Sequence, residues 1–142
     1  VGRLGEYIAK LQQVTEEDVN ESLLQIIRDH EEVITNMNTD QLWEGERPDG
    51  SMLPDYSPTS VQVFGKPEGP IRLFDQGDFY RGIFLDADQF PVMFEGRDEK
   101  TEMLKSDYGA ILGINEENLR ELNQSYLKDE ILSYFARILS PL

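Results

Sequence analysis

The stretch LFDQGDFYRGIFLDADQFPVMFEG, Leu73 to Gly96, decides the fold. It holds two aromatic and β-branched runs, FYRGIFLDA from Phe79 to Ala87 and FPVMFEG from Phe90 to Gly96. Side chains of this type pack well on a pleated surface, and the polar Asp88-Gln89 interruption predicts an antiparallel hairpin. Gly82 inside the first run marks a bulge or a close backbone contact. Asp75 and Asp78 stand where they would stabilise a turn and cap the element beginning at Phe79.

Working outward, breaker clusters precede the hairpin. GERPDGSMLPDYSP, Gly45 to Pro58, holds three prolines and two glycines, and GKPEGP, Gly65 to Pro70, is a second turn-forming cluster. Between them TSVQVF, Thr59 to Phe64, is β-rich and equally compatible with a helical turn after Pro58. An irregular segment of this length inside a small domain is unusual and points to a functional or mobile loop.

Both ends read as helical. Leu4, Ile8 and Leu11 recur at helical spacing, and Thr15 with Asp18 three residues on forms a capping box. From there Val19, Leu23, Ile26, Ile27 and Ile34 build an apolar stripe towards Met37, opposite Glu16, Glu17, Glu21, Arg28 and Glu31. The pattern reads as a short first helix and a second one from Thr15, with one helix bent near Val14 as the alternative. After the hairpin, RDEKTEMLKSD (Arg97 to Asp107) is a charged connection with room for a helical turn. Asn115 is a good N-cap for a last helix carrying Leu119, Leu122, Tyr126, Leu127, Ile131, Phe135 and Ile138, with Pro141 after its end. The sum is an α+β domain, a small antiparallel β-sheet with a hairpin packed against N-terminal and C-terminal helices. Residues 1–142 form a single domain: a helical part over 1–42, a long irregular loop over 43–72, a hairpin region over 73–114, and a C-terminal helix over 115–142.

Composition narrows the function. Of 142 residues, 28 are acidic and 13 basic, a formal net charge of −15. Such a chain repels a phosphate backbone at long range, which argues against a basic nucleic-acid-binding patch. Cysteine is absent, so there is no disulfide frame, thiolate metal site or cysteine nucleophile. VGRLGEYIAKLQQV, at the start, lacks the apolar run of a signal peptide, and no segment approaches the ~20 apolar residues of a membrane span. The expectation is a soluble chain.

No catalytic constellation stands out. His30 is the single histidine, which rules out metal sites built from several histidines, and it lies far in sequence from any nucleophile. Asp75, Asp78, Asp86 and Asp88 lack the alternation, central Gly and closing Glu of an EF-hand loop. GKPEGP lacks the spacing of a phosphate cradle. Tyr56, Tyr80, Tyr108, Tyr126, Trp43 and Phe74 suit packing or a protein interface better than base stacking in so acidic a chain. No catalytic, cofactor-binding or metal-binding residue, and no cofactor, is expected.

The order of these features resembles the virion-morphogenesis or tail-completion proteins of tailed bacteriophages, a head–tail connection family. There a tryptophan leads into a Ser/Pro-x-x-Thr…Lys loop, then Leu-x-x-Thr-Gly-x-Leu/Phe, a hairpin, and Phe-Leu-Gly-Leu-x-x-Glu-Asn/Asp opening the last helix. The matching residues are Trp43, then Tyr56-Ser57-Pro58-Thr59 with Lys66, then Leu73-Phe74-Asp75-Gln76-Gly77-Asp78-Phe79-Tyr80, and Ile111-Leu112-Gly113-Ile114-Asn115-Glu116-Glu117-Asn118. Gln76 stands where the family has Thr, and KSDYGA replaces its Pro-Ala-Arg-Pro segment. The likeness spans Trp43 to Leu139. It implies a structural virion protein at the phage neck or tail, made in the bacterial host cytoplasm. Such a subunit joins copies of itself into a homo-oligomeric ring beside neighbouring neck and tail proteins, with an acidic wall that lets DNA slide through the channel. The loop would order on docking, anchored by Trp43 and Tyr56, and the candidate subunit interface is Trp43, Tyr56, Phe79, Tyr80, Phe90 and Phe94. Two other readings compete: an acidic protein-binding module that mimics DNA towards a host protein, and an acid/base hydrolase using the hairpin carboxylates.

Overall fold

The computed structural model describes residues 2–140, so Val1 and the Pro141 expected after the last helix lie outside the described residues. Helix α1 (Arg3–Gln13) ends where Val14 turns extended, and α2 (Glu16–Asp29) begins at the expected capping box. Thr15 Oγ1 accepts from the Asp18 amide at 3.0 Å, and Asp18 Oδ2 accepts from the Thr15 amide at 3.4 Å. The extended Val14 makes these two helices, not one bent helix. The stripe from Val19 to Met37, read as one helix, is also divided. His30 leaves helical geometry before α3 (Glu31–Trp43), with neither Gly nor Pro to mark the break. A tertiary tie accompanies the break: His30 Nε2 lies 2.9 Å from Glu130 Oε1, and its ring stands edge-on to Tyr126.

The 43–72 segment is irregular only in part. Ser57 accepts from the Ser60 amide, Pro58 occupies the first turn, and Gly65 closes the helix in a left-handed conformation, so α4 (Pro58–Phe64) forms where strand and helix were both open. The flanks are tied to each other. The Leu53 amide donates to Gly45 O at 2.7 Å, Ile71 to Pro54 O at 2.8 Å, and Tyr56 to Gly69 O at 2.9 Å. Gly45 has φ +76, and a Cβ there would lie 2.2 Å from Pro70 Cβ, so both backbone and space require glycine.

The hairpin is shorter than its sequence suggests. FYRG is not strand: Gly77 with φ 85 starts a short helix α5 (Asp78–Gly82), and the strands are β1 (Ile83–Asp86) and β2 (Met93–Gly96). They pair antiparallel with Ile83 opposite Gly96 and Asp86 opposite Met93. The helical turn buries Phe79, which a strand beginning at that residue would not position in the same way, and Asp78 pairs with Arg81 on its outer side. Gly82 is a close backbone contact: its carbonyl accepts from the Arg97 amide at 2.9 Å, and a Cβ would meet the Asp98 nitrogen at 3.0 Å. The outer side of β1 is tied to α2 and α3 at one strand amide and just past the strand's end. Leu85 N–H donates to Glu31 Oε2 at 2.8 Å, and Arg28 donates to Ala87 O at 2.7 Å.

The charged connection after β2 contains α6 (Thr101–Tyr108). Asn115 caps α7 (Glu116–Leu122) as expected, its side chain accepting from the Asn118 amide. The last helix then continues through a π turn, Asn123–Leu127, into α8 (Lys128–Leu139). Two buried clusters form the core. One joins Leu42, Leu53, Phe79, Ile83 and Ile111; the other joins Ile34, Leu85, Leu122 and Leu127; Phe94 packs on both. Full burial of a Leu, Ile or Phe side chain contributes about 1.5–3 kcal/mol. Exposed pairs such as Lys105–Glu102 contribute about 0–1 kcal/mol, so packing dominates.

A cluster of amide side-chain hydrogen bonds from α3 is among the polar contacts that join the chain's two halves. Fully buried Asn38 donates to Ile111 O and accepts from the Gly113 amide, both at 3.0 Å. Gln41 donates to Gly113 O at 3.1 Å, while its oxygen accepts from the Asn115 amide at 2.8 Å and from Asn118 Nδ2 at 2.6 Å. Asn38→Leu would strand a carbonyl and an amide, at about 1–3 kcal/mol for each buried group left unpaired. The expected result in urea unfolding is a lower midpoint with an unchanged slope; an unchanged midpoint would show that these bonds contribute nothing net.

Candidate functional site

An aromatic cluster, part exposed and part half-buried, stands at the base of the 43–72 segment. Trp43 ends α3 with 42% of its surface exposed. Phe74 stands edge-on to it with ring centroids 5.3 Å apart, and Tyr80 stands edge-on to Phe74 at 5.2 Å. The Arg72 guanidinium lies over the Trp43 ring, 4.3 Å from its centroid. At an exposed site such a cation–π contact is worth about 0.5–1 kcal/mol.

Two tyrosines grip the Arg72 peptide. Its amide donates to Tyr56 Oη at 3.1 Å, and its carbonyl accepts from Tyr80 Oη at 2.5 Å. The next residue, Leu73, has φ 57, a left-handed conformation that a leucine rarely adopts. Its side chain packs on the first core cluster, and the gripped peptide before it holds the backbone there. Burial is the main reason the Tyr80 phenol is pushed well above the ordinary tyrosine range, with nearby Tyr56 and Asp40 adding to the shift and Arg72 opposing it. Further out, Lys66 places its ammonium 5.8 Å from the Tyr56 ring centroid. Nearer the start of the segment, Asp49 accepts from the Ser51 hydroxyl and amide, which holds its carboxyl below the usual range.

The six residues expected at an interface therefore do not form one surface. Trp43, Tyr56 and Tyr80 meet around Arg72. Phe79 is only 2% exposed and belongs to the core, so it offers nothing to a neighbour; a helical turn in place of the expected strand sends it inward. Phe94 is partly buried between the two core clusters. Phe90, 46% exposed, sits at the hairpin turn in a recess shared with Glu16, Glu17, Glu21 and Asp88. Sequence reasoning missed Arg72 and Leu73, whose roles depend on tertiary placement. It also missed the tip of α4, where Val63 and Phe64 are 69% and 72% exposed. A signal for that tip was present, because Tyr56 to Gly65 contains no charged residue.

The hairpin carboxylates do not converge. Asp78 is paired with Arg81, and Asp86 accepts from the Asp88 amide at 3.2 Å. Among the described residues no group of three His, Asp or Glu side chains is placed to hold a metal ion, and no helix is long and apolar enough to cross a membrane. What the aromatic base offers chemically is a stiff, partly exposed platform for packing and stacking.

Tyr80→Phe would leave the Arg72 carbonyl without its donor and cost about 1–3 kcal/mol in denaturant unfolding. An alkaline titration followed at 295 nm should show a phenol ionising well above pH ~10, and that late component should vanish in the variant. The sign follows from the raised folded value: the stability that neutral Tyr80 supplies is fully present below its unfolded pKa and is lost as pH rises towards the folded one. A titration identical in both proteins would show that the Tyr80 phenol is not shielded.

Comparison of the chain with known protein families, curated proteins and solved structures finds no match to any of them.

Proposed function

We propose that this chain is a structural subunit of a tailed-bacteriophage virion, a head–tail connector or tail-completion protein that joins copies of itself into a ring at the portal–tail joint. The observation that carries the reading is the segment from Trp43 to Arg72. Its base is gripped by aromatic packing and by the Tyr56–Arg72–Tyr80 bonds, and it ends in an uncharged helical turn with Val63 and Phe64 in solvent. A segment fixed at its root and apolar at its tip suits an arm that docks on a neighbour, because little ordering remains to be done on binding. The ordered motifs quoted above, from Trp43 to Asn118, support the same reading.

The net charge of −15 fits a wall along which DNA passes without condensing. It fits a DNA-mimicking module as well, but such a module would present charge where this arm presents apolar surface. The partners proposed are further copies of the chain and the adjoining neck and tail proteins.

Quantitative mass spectrometry of gradient-purified particles from an induced lysate tests the proposal. The expected result is a low, fixed copy number on the order of one closed ring per particle. Absence from intact particles would end the virion reading and turn attention to soluble basic partners.

A further inference from the structure

Helix α1 is loosely bound to the rest of the chain. None of its residues is buried, and its apolar stripe of Leu4, Ile8 and Leu11 is exposed. Tyr7 and Lys10, three apart, are half-buried and in phase with Val14 just past the helix end, so they mark the side turned towards the molecule. The main neighbour on that side is α8. Among the described residues one side-chain hydrogen bond leaves α1, from Lys10 Nζ to Ser140 O at 2.7 Å, and no α1 residue enters an ion pair.

The joint after α1 lets that helix leave without disturbing α2. Val14 is extended, and among the described residues no backbone hydrogen bond joins α1 to α2. The first turn of α2 is closed from its own side by the Thr15–Asp18 box, so its amides are satisfied whether or not α1 is docked. On its inner side α1 borders a cleft of about 960 Å³. Lys10 and Gln13 form one wall of this cleft, and its apolar lining includes Ile26 on α2 with Tyr134 and Ile138 on α8. Close packing would fill such a space, so α1 is not packed on the body as a core helix is.

We propose that α1 is a hinged strap. It leaves α8 as one unit, turning about Val14 while the rest of the chain stays folded, and so opens and closes the cleft. Opening costs little, because undocking gives up no fully buried side chain and a single exposed hydrogen bond. An isolated helix of 11 residues is marginal in water, so α1 loses the protection of its amides when it leaves α8. Ile26, Tyr134 and Ile138 then stand without the wall that Lys10 and Gln13 supply.

Hydrogen exchange of the full chain, read residue by residue by NMR, tests the strap. The expected result is one shared protection factor for the amides of residues 7–13, about a hundredfold or more below that of residues 20–29. It should depend little on urea below the unfolding transition, and protection should rise in a step at Val14–Thr15. Lys10→Met removes the tie to Ser140 and should speed exchange over residues 7–13 about two- to tenfold, with residues 20–29 unchanged. Equal protection of the two helices would overturn the proposal, since α1 would then open only with the body. So would protection that fades gradually from α2 to Arg3 without a step, which is end fraying with no hinge. Faster exchange of both helices together in the Lys10→Met chain would also overturn it.

Discussion

The amide side chains of Asn38 and Gln41 hold the two halves of this molecule to one another. Both project from α3 onto residues 111–118, the segment from which the last helix grows: Asn38 bonds to its backbone, Gln41 to its backbone and to the Asn118 side chain. Stranding such groups away from water is expensive, so the contact makes register as well as stability: α7 can begin only where Asn115 meets Gln41. Asn115 in turn donates to Glu46 at 3.0 Å, which carries the constraint into the start of the long segment. Arg47, next in sequence, donates to Tyr108 O at 2.8 Å and to Met52 O at 2.7 Å. The N-terminal helices, the arm and the C-terminal helices are thereby fixed to one frame, with the two apolar clusters filling the space inside it.

That frame explains how an irregular segment can be stiff. Its root is held by the Arg72 peptide between two tyrosine hydroxyls, and by a leucine kept in a left-handed conformation. Strain of this kind persists only where the surroundings over-determine it. Here they do so through Trp43, Phe74 and Tyr80, three rings in successive edge contact. The proposed role uses this arrangement directly, since an arm already ordered at its base loses little entropy when its tip is covered.

How much of this was legible in the sequence depended on whether the cause was local. The Thr15 capping box, the Asn115 cap and the α+β class were readable because neighbouring residues determine them. The expected strand from Phe79 to Gly82 is a helical turn because Gly77 admits a left-handed start and the core draws Phe79 inward, a tertiary choice that outweighs β propensity. The break at His30 was equally invisible, since its partners Tyr126 and Glu130 lie about a hundred residues away. Of the candidate interface residues, Trp43, Tyr56 and Tyr80 meet around Arg72. Yet the residue that organises them, Arg72, holds Tyr56 and Tyr80 through its backbone and Trp43 through its guanidinium, a convergence that only the tertiary fold creates.

The π turn at Asn123–Leu127 bears on how relatives of this chain would be aligned. Leu122 and Leu127, five apart, both face the core, which an uninterrupted α-helix would not allow. The turn acts as a one-residue insertion that resets the phase of everything after it. A relative lacking that residue would carry the same inward face on α8 by running as plain α-helix, and a gap placed anywhere else would rotate the comparison by about 100°. At this end of the molecule the inward face is set by helical angle and not by residue count.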